Sequence, residues 1–173
     1  MDNIRVLISE EDVDKKIREM AAKISKRYEG KTLHLICVLR GGAFFMCELA
    51  KRLTVPVTID FMSVSSYGDG TESSGQIKIV KDLDDSIEGK DVLVVEDIID
   101  SGRTLSKLME LLDSRKPASL ALCTLLDKPE RRVVEVDVDY TGFQIPDLFV
   151  VGYGLDCAQK HRNYPYVGVV EID

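Results

Sequence analysis

Glu96-Asp97-Ile98-Ile99-Asp100-Ser101-Gly102-Arg103-Thr104 gathers the side chains best suited to chemistry into one short stretch. It follows Val92-Leu93-Val94-Val95, an apolar run that reads as a buried strand. Carboxylates at the end of such a strand are costly to desolvate unless they reach water, a cation or a ligand. From Asp100 to Thr104 the chain then offers small residues, a glycine and two hydroxyls where a helix should begin. Helix-start N–H groups and the helix dipole favour an anion there, and a phosphate fits best. The spacing is not G-x-x-x-x-G-K-[ST], which argues against a nucleoside triphosphatase of that type. Taken singly, each part has a plainer account: solvated strand-end acids, an Asp100 that only caps a helix, or a turn capped by Ser101.

The elements that would position this segment are legible from pattern. Leu33 to Leu39 is nearly continuous in apolar residues, as in a parallel strand covered on both faces. Further strands are expected at Ile4–Ile8, Val55–Ser63, Gln76–Val80, Leu120–Leu126, Phe149–Val151 and Val167–Ile172. Val13, Ile17, Met20, Ala21 and Ile24 recur at helical spacing behind Ser9-Glu10-Glu11-Asp12, which resembles a capping box. Gly30 suits the left-handed stop of that helix. A buried helix is expected over Ala43–Leu53, and another from Leu105 to a stop near Pro117. Strands alternating with helices imply an α/β domain with a mostly parallel sheet, without internal repeats. Between Ser65 and Gly75, eight of the eleven residues are Ser, Gly or Asp, so a mobile excursion is expected there.

The chain has 173 residues, 45% hydrophobic and 31% charged, with formal net charge −7. That suits one compact domain and argues against a nucleic-acid surface. No apolar run approaches the roughly 18–20 residues of a membrane span, and Met1 to Arg5 lacks a basic-then-apolar leader pattern. Cys37, Cys47, Cys123 and Cys157 form no C-x-x-C pair, so reduced core thiols in the cytoplasm are expected.

Val94 to Leu105 resembles the phosphoribosyl-diphosphate-binding motif of type I phosphoribosyltransferases. Leu39-Arg40-Gly41-Gly42, Ser65-Ser66-Tyr67-Gly68, Leu126-Asp127-Lys128-Pro129, Gly142 to Asp147 and Phe149 to Asp156 are similar to motifs of its bacterial hypoxanthine (hypoxanthine-guanine) branch, in the family's order. The resemblance implies one domain over 1–173, with a core, a small hood from the N-terminal segment and the region near 130–173, and a flexible lid over 65–75. It also implies transfer of a phosphoribosyl group to a purine base, with release of diphosphate.

Residue by residue, the resemblance assigns Glu96 and Asp97 to the ribose hydroxyls, directly or through Mg²⁺. Asp100 becomes the general acid/base at purine N7, and Asp100, Ser101, Gly102, Arg103 and Thr104 the 5′-phosphate cradle. Lys128 would donate to the exocyclic oxygen of a 6-oxopurine, where the 6-amino group of adenine is itself a donor. Phe149 would stack on the ring, and the backbone of Val150 would meet its Watson–Crick edge. Without the motif, Lys128 reads as a solvated charge and Phe149 as plain core. Asp156 is assigned to the purine side and to a second Mg²⁺ on the diphosphate. Arg162 and the Arg40-Gly41 turn are assigned to the diphosphate, with the peptide at that turn cis in some relatives. Arg40 stands where relatives often carry Lys. Ser66 and Tyr67 match the lid's pair, which some relatives precede with basic residues where this chain has Ser63, Val64 and Ser65. The resemblance further suggests a homodimer or homotetramer with the helix after Arg40 at the interface. His34 is expected to be packed and His161 is given no role.

A rival from another class is a ligand-sensing regulator that keeps this fold and binds nucleic acid. Acidic charge throughout, and retention of Asp100, Lys128, Asp156 and Arg162 together, weigh against it. A transferase for another base, such as xanthine or uracil, is the third reading.

Overall fold

The computed structural model describes residues 3–66 and 76–171. In chain order these form β1 (Asn3–Ile8), α1 (Glu10–Arg27), β2 (Leu33–Val38), α2 (Ala43–Arg52), β3 (Val57–Ser66), β4 (Ile77–Lys81) and β5 (Asp91–Ile99). There follow α3 (Arg103–Ser114), β6 (Ser119–Asp127), a 3₁₀ turn (Pro129–Arg131), β7 (Tyr140–Gln144), β8 (Val150–Val151) and β9 (Val167–Glu171). Among the described residues the larger sheet runs β4-β3-β2-β5-β6-β7, and a smaller one runs β1-β9-β8. The larger is parallel except for β4, which pairs antiparallel with β3. The smaller is antiparallel and joins the two ends of the described chain.

The sheet is covered on both faces, which is why β2 is buried at every position and β5 from Val92 to Val95. One apolar cluster centres on α1, α2 and alternate residues of β2, β5 and β6, including Ile17, Ile24, Leu35, Phe45, Leu93 and Cys123. The opposite face packs Ile36, Met62, Val94, Leu108, Leu112 and Leu122. Ser9 caps α1 as expected, its Oγ accepting from the Asp12 N–H at 3.1 Å.

The strand order reverses between β2 and β5: the chain proceeds from β2 outward to β3, and from β5 outward to β6 and β7. A crevice opens where such connections part, beyond the carboxyl ends of the strands. The turn after β2 and the acids of β5 meet there.

Several sequence expectations need correction. β3 runs to Ser66, so Ser65 and Ser66 are strand, paired with Lys78 and Ile77, rather than part of an irregular loop; the cross-strand pairing outweighs their turn-favouring side chains. The remainder of that loop, from Tyr67 to Gly75, lies outside the described residues. β7 was not anticipated, since Gly142 interrupts a short segment. A Cβ on Gly142 would come within 2.4 Å of the Leu125 carbonyl oxygen, so close approach to β6 demands the glycine that hides the strand. α2 buries Phe45, Met46 and Leu49 but exposes Phe44 and Cys47. Core-thiol status therefore holds for Cys37 and Cys123, while Cys47 is exposed and Cys157 half-buried; all four are free.

Candidate active site

Two carboxylates at the end of β5 form the floor of the crevice. Glu96 presents a buried Oε2 with no hydrogen-bond partner, and burial together with the neighbouring Asp97 raises its pKa well above the usual carboxylate range. Asp97 accepts from the Ile98 N–H at 2.7 Å through Oδ1. Burial still lifts it to about 6; the Ile98 N–H and the charge of Arg162 pull it down, and Asp156 pushes it up. An unsatisfied carboxylate oxygen next to a carboxyl group that protonates readily suits a hard cation, which takes oxygen ligands and commonly keeps waters and substrate oxygens in its shell. Among the described residues no three His, Cys, Asp or Glu converge as a metal cage, so the protein would supply part of such a shell.

Above this floor two backbone segments close in. A Cβ on Gly41 would lie 1.7 Å from Asp97 Oδ2, and one on Gly154 would lie 1.9 Å from the Gly41 carbonyl oxygen. Only glycines allow this three-way approach. The peptide between Leu39 and Arg40 is cis, one bond earlier than the Arg40-Gly41 bond named from the sequence. Arg162 donates to the Gly154 carbonyl (2.7 Å) and Gln159 Oε1 (2.9 Å), and pairs with Asp156 at 3.2 Å. Arg40 reaches the same Gln159 oxygen at 3.1 Å, while Asp156 accepts from the Gln159 N–H at 2.7 Å. Gln159 thus joins Arg40, Asp156 and Arg162, a role no sequence pattern suggested. Non-glycine left-handed residues gather in this segment: Tyr153, Ala158, Gln159 and His161. Such backbone conformations persist where surrounding structure enforces them, commonly at functional sites.

The helix-start segment is shaped for an anion. Gly102 caps α3 with φ +81° and has no side chain to bond the first turn, which carries no acid. Its leading N–H groups therefore lack helical partners. Ser101 Oγ accepts from the Arg103 N–H at 3.3 Å, while its carbonyl takes the Val133 and Val134 N–H groups. Asp100 does not cap the helix, which removes the plainest account of that residue. Glu96, Asp100, Ser101, Gly102 and Thr104 line one cleft of roughly 160 Å³, with Arg103 exposed at its side.

On the other side of Asp100 lies a group of alternating charges. Lys128 ends its β6 connection almost buried, its side chain 9% exposed, 3.6 Å from Asp147. Asp147 also faces Arg131 at 3.6 Å, and Arg131 faces Asp100 at 3.5 Å. Asp127 pairs with Arg132, which also donates to the Asp100 carbonyl at 3.3 Å. The solvated-charge account of Lys128 fails, and so does the core account of Phe149, which is 52% exposed. The Phe149 carbonyl accepts from the Val170 N–H at 3.0 Å. By antiparallel alternation, the N–H and C=O of the next residue, Val150, turn to the open edge of β8. Arg131, Arg132, Asp147 and Gln159 were given no roles from the sequence. The arginine pair just beyond Lys128-Pro129 was the available signal.

Ser66 is the exposed last residue of β3; Tyr67 lies outside the described residues. His34 is packed, its Nδ1 2.6 Å from Thr58 Oγ1.

Residues 9–158 match the family model described as phosphoribosyl transferase domain, and the chain belongs to that family. A hypoxanthine phosphoribosyltransferase of Salmonella typhimurium is 53% identical over 98% of this chain and 96% of its own length. The bifunctional protein TilS/HprT of Listeria monocytogenes is 54% identical over 96% of this chain, which spans only 26% of that relative. Among solved structures, a hypoxanthine phosphoribosyltransferase of Staphylococcus aureus superposes with TM-score 0.94 at 50% identity, covering 96% of this chain and 91% of that one. A hypoxanthine-guanine phosphoribosyltransferase of Bacillus anthracis does so with TM-score 0.94 at 49% identity, covering 99% and 100%. The α/β fold with a mostly parallel sheet is therefore that of the family.

Proposed function

We propose that the chain is a purine-salvage enzyme, transferring the 5-phosphoribosyl group from phosphoribosyl diphosphate to hypoxanthine or guanine, with IMP or GMP and diphosphate as products. The observation that carries this reading is the run of contacts around the end of β5. Asp97 meets Gly41, which meets Gly154 and through it Arg162. Glu96 and Asp100 share a cleft with the α3 turn, and Asp100 connects through Arg131 and Asp147 to Lys128.

The α3 turn holds the 5′-phosphate through Ser101 to Thr104. Glu96 and Asp97 hold the ribose. Arg162 and the Arg40-Gly41 backbone take the diphosphate, a planar guanidinium suiting its oxygens. Phe149 lies against the purine, Lys128 donates to its 6-oxo group, and Val150 offers backbone groups to the opposite edge. Carbon-1 becomes cation-like as diphosphate leaves, so the site must stabilise positive charge there and negative charge on the departing group. Asp100 accepts the proton from N7 as the new bond forms. Mg²⁺ would be held by Glu96 and Asp97, and a second ion by Asp156, supplying neutralisation of the diphosphate. Ser66 and Tyr67 retain their reading as lid residues on the motif alone. We read 1–173 as one domain whose hood includes the β1-β9-β8 sheet. A homodimer or homotetramer in the cytoplasm, without nucleic-acid partners, completes the proposal. Among the described residues no helix is long and apolar enough to cross a membrane.

The test is nucleotide formation from phosphoribosyl diphosphate and Mg²⁺ with hypoxanthine, guanine, xanthine and adenine offered separately. Product from hypoxanthine or guanine, none from adenine, and loss of activity with chelator are expected. Binding of phosphoribosyl diphosphate without product from any base would favour a ligand-sensing regulator instead.

A further inference from the structure

Lys128 and Asp100, the two groups that would read the N7/O6 edge of the purine, are joined through a pair of residues to which no role has been assigned. Asp147 turns one carboxylate oxygen, Oδ1, toward the Lys128 ammonium and the other, Oδ2, toward Arg131; Arg131 in turn faces Asp100 through Nε. The order of charges is therefore plus, minus, plus, minus across the purine side of the crevice.

The distances have a chemical meaning. At 3.5–3.6 Å these contacts are longer than hydrogen bonds, which lie at about 2.7–3.2 Å. Each charge is thus offset by its neighbour while its donors or lone pairs stay uncommitted. An ammonium as buried as that of Lys128 needs such an offset. Among the described residues Asp147 is the anion within reach of it. A direct hydrogen bond from Lys128 to Asp147 would occupy one of the ammonium donors and turn it away from a purine oxygen.

The placement of Asp147 adds a second, independent reason. It lies on the short connection from β7 to β8, two residues before Phe149. That connection is tied to the end of β6, where the Ile145 N–H donates to the Asp127 carbonyl at 2.9 Å, and it turns tightly within itself, the Leu148 N–H donating to the Pro146 carbonyl at 2.8 Å. The segment that delivers the stacking ring therefore also delivers the carboxylate that faces the oxygen-reading ammonium.

We propose that Asp147 is a specificity-determining positioning residue: it holds the Lys128 side chain aimed for a 6-oxo group and, through Arg131, couples that donor to Asp100. This rests on the transferase reading. Replacing Asp147 by Asn keeps the shape and removes the charge. In Asp147→Asn, KM for hypoxanthine should rise about tenfold, the scale of one lost charge-assisted contact, with KM for phosphoribosyl diphosphate changed less than about twofold. Asp147→Glu should recover most of the loss. In a Lys128→Ala background the Asn substitution should add almost nothing, because the residue acts through Lys128.

Calorimetric binding of IMP against AMP supplies the same contrast without turnover: Asp147→Asn should lose preference for IMP. An inactive wild-type chain would count against the transferase reading, while the binding contrast would still decide the role of Asp147. Unchanged hypoxanthine KM and IMP preference in Asp147→Asn overturn the inference, as do effects of Asp147→Asn and Lys128→Ala that simply add. Asp147→Asn leaves the buried Lys128 ammonium without its offset, so a lowered melting temperature is expected for that variant and one near wild type for Asp147→Glu.

Discussion

The two walls of the crevice differ in how far they are electrically complete. On the β5 floor, Glu96 and Asp97 are adjacent, share one sign, and include a buried oxygen without a partner. On the purine wall, Lys128, Asp147, Arg131 and Asp100 alternate in sign, and Asp127 and Arg132 form a further pair. One wall stores unfavourable charge that a ligand or cation relieves; the other is neutralised before anything binds. In the proposed reading, preorganisation matters most where hydrogen-bond direction would select a base, whereas an unbalanced floor would draw in a cation with a polyanionic substrate.

That contrast can be broken most directly at Asp100, where the walls meet. Asp100→Asn removes the proposed proton acceptor while preserving shape. Turnover should fall about 10²–10³-fold, a usual range for loss of general acid–base catalysis, with the affinity for phosphoribosyl diphosphate nearly kept. Steady-state kinetics paired with calorimetry separate the two; a parallel loss of binding would mean Asp100 belongs to the floor's charge system instead. Lys128→Ala should act on the purine wall alone, reducing kcat/KM for hypoxanthine by about 10²-fold while KM for phosphoribosyl diphosphate holds. Equal loss for both substrates would end the division into walls.

How much of this was legible beforehand differs between the same regions. β2 and β5 announce themselves as apolar runs, and the acids after Val95 stand out because buried strands rarely carry them. The Ser9 cap and the Gly30 stop follow from local chemistry. The purine wall is another matter. Lys128 and Phe149 gained their roles from resemblance, since by pattern alone one reads as solvated and the other as core. Arg131 and Asp147 meet across two connections, and Gln159 gathers three charged residues from a segment of left-handed backbone. Such contacts are set by tertiary placement, which no local period encodes. β7 was missed for a related reason: Gly142 looks like a break, yet the Leu125 carbonyl leaves no room for any other residue.

The phosphate turn belongs with the preformed wall, and Gly102 tests that. Its φ of +81° and the 2.4 Å approach of an added Cβ to the Val134 carbonyl oxygen leave Ala strained. Gly102→Ala should cost about 1–3 kcal/mol of stability, read by urea denaturation, and raise KM for phosphoribosyl diphosphate more than KM for hypoxanthine. A neutral result would show that the turn reorganises when it binds.

The smallest effect is also the one of opposite sign. Asp97 is raised to about 6 in the folded chain, against roughly 3.9 for an unfolded aspartate. Above pH 6 it is ionised in both states, and folding bears the full cost of burying the charge. As pH falls from about 6 to 4, the folded state takes up the proton first and gains stability; below 4 both states are protonated and the gain is complete. In the absence of divalent cations, Asp97→Asn should therefore be more stable than wild type by about 1–2 kcal/mol at pH 8, a figure reduced for partial solvent access. The advantage should shrink as pH drops toward 4, even though the variant loses activity. Thermal melts of both proteins across pH 4–8 check it. Adding Mg²⁺ with diphosphate should stabilise wild type more than the variant, because the floor's carboxylate charge then has an opposing partner. If Asp97→Asn is instead the less stable protein at pH 8, the floor is already balanced and the contrast between the two walls disappears.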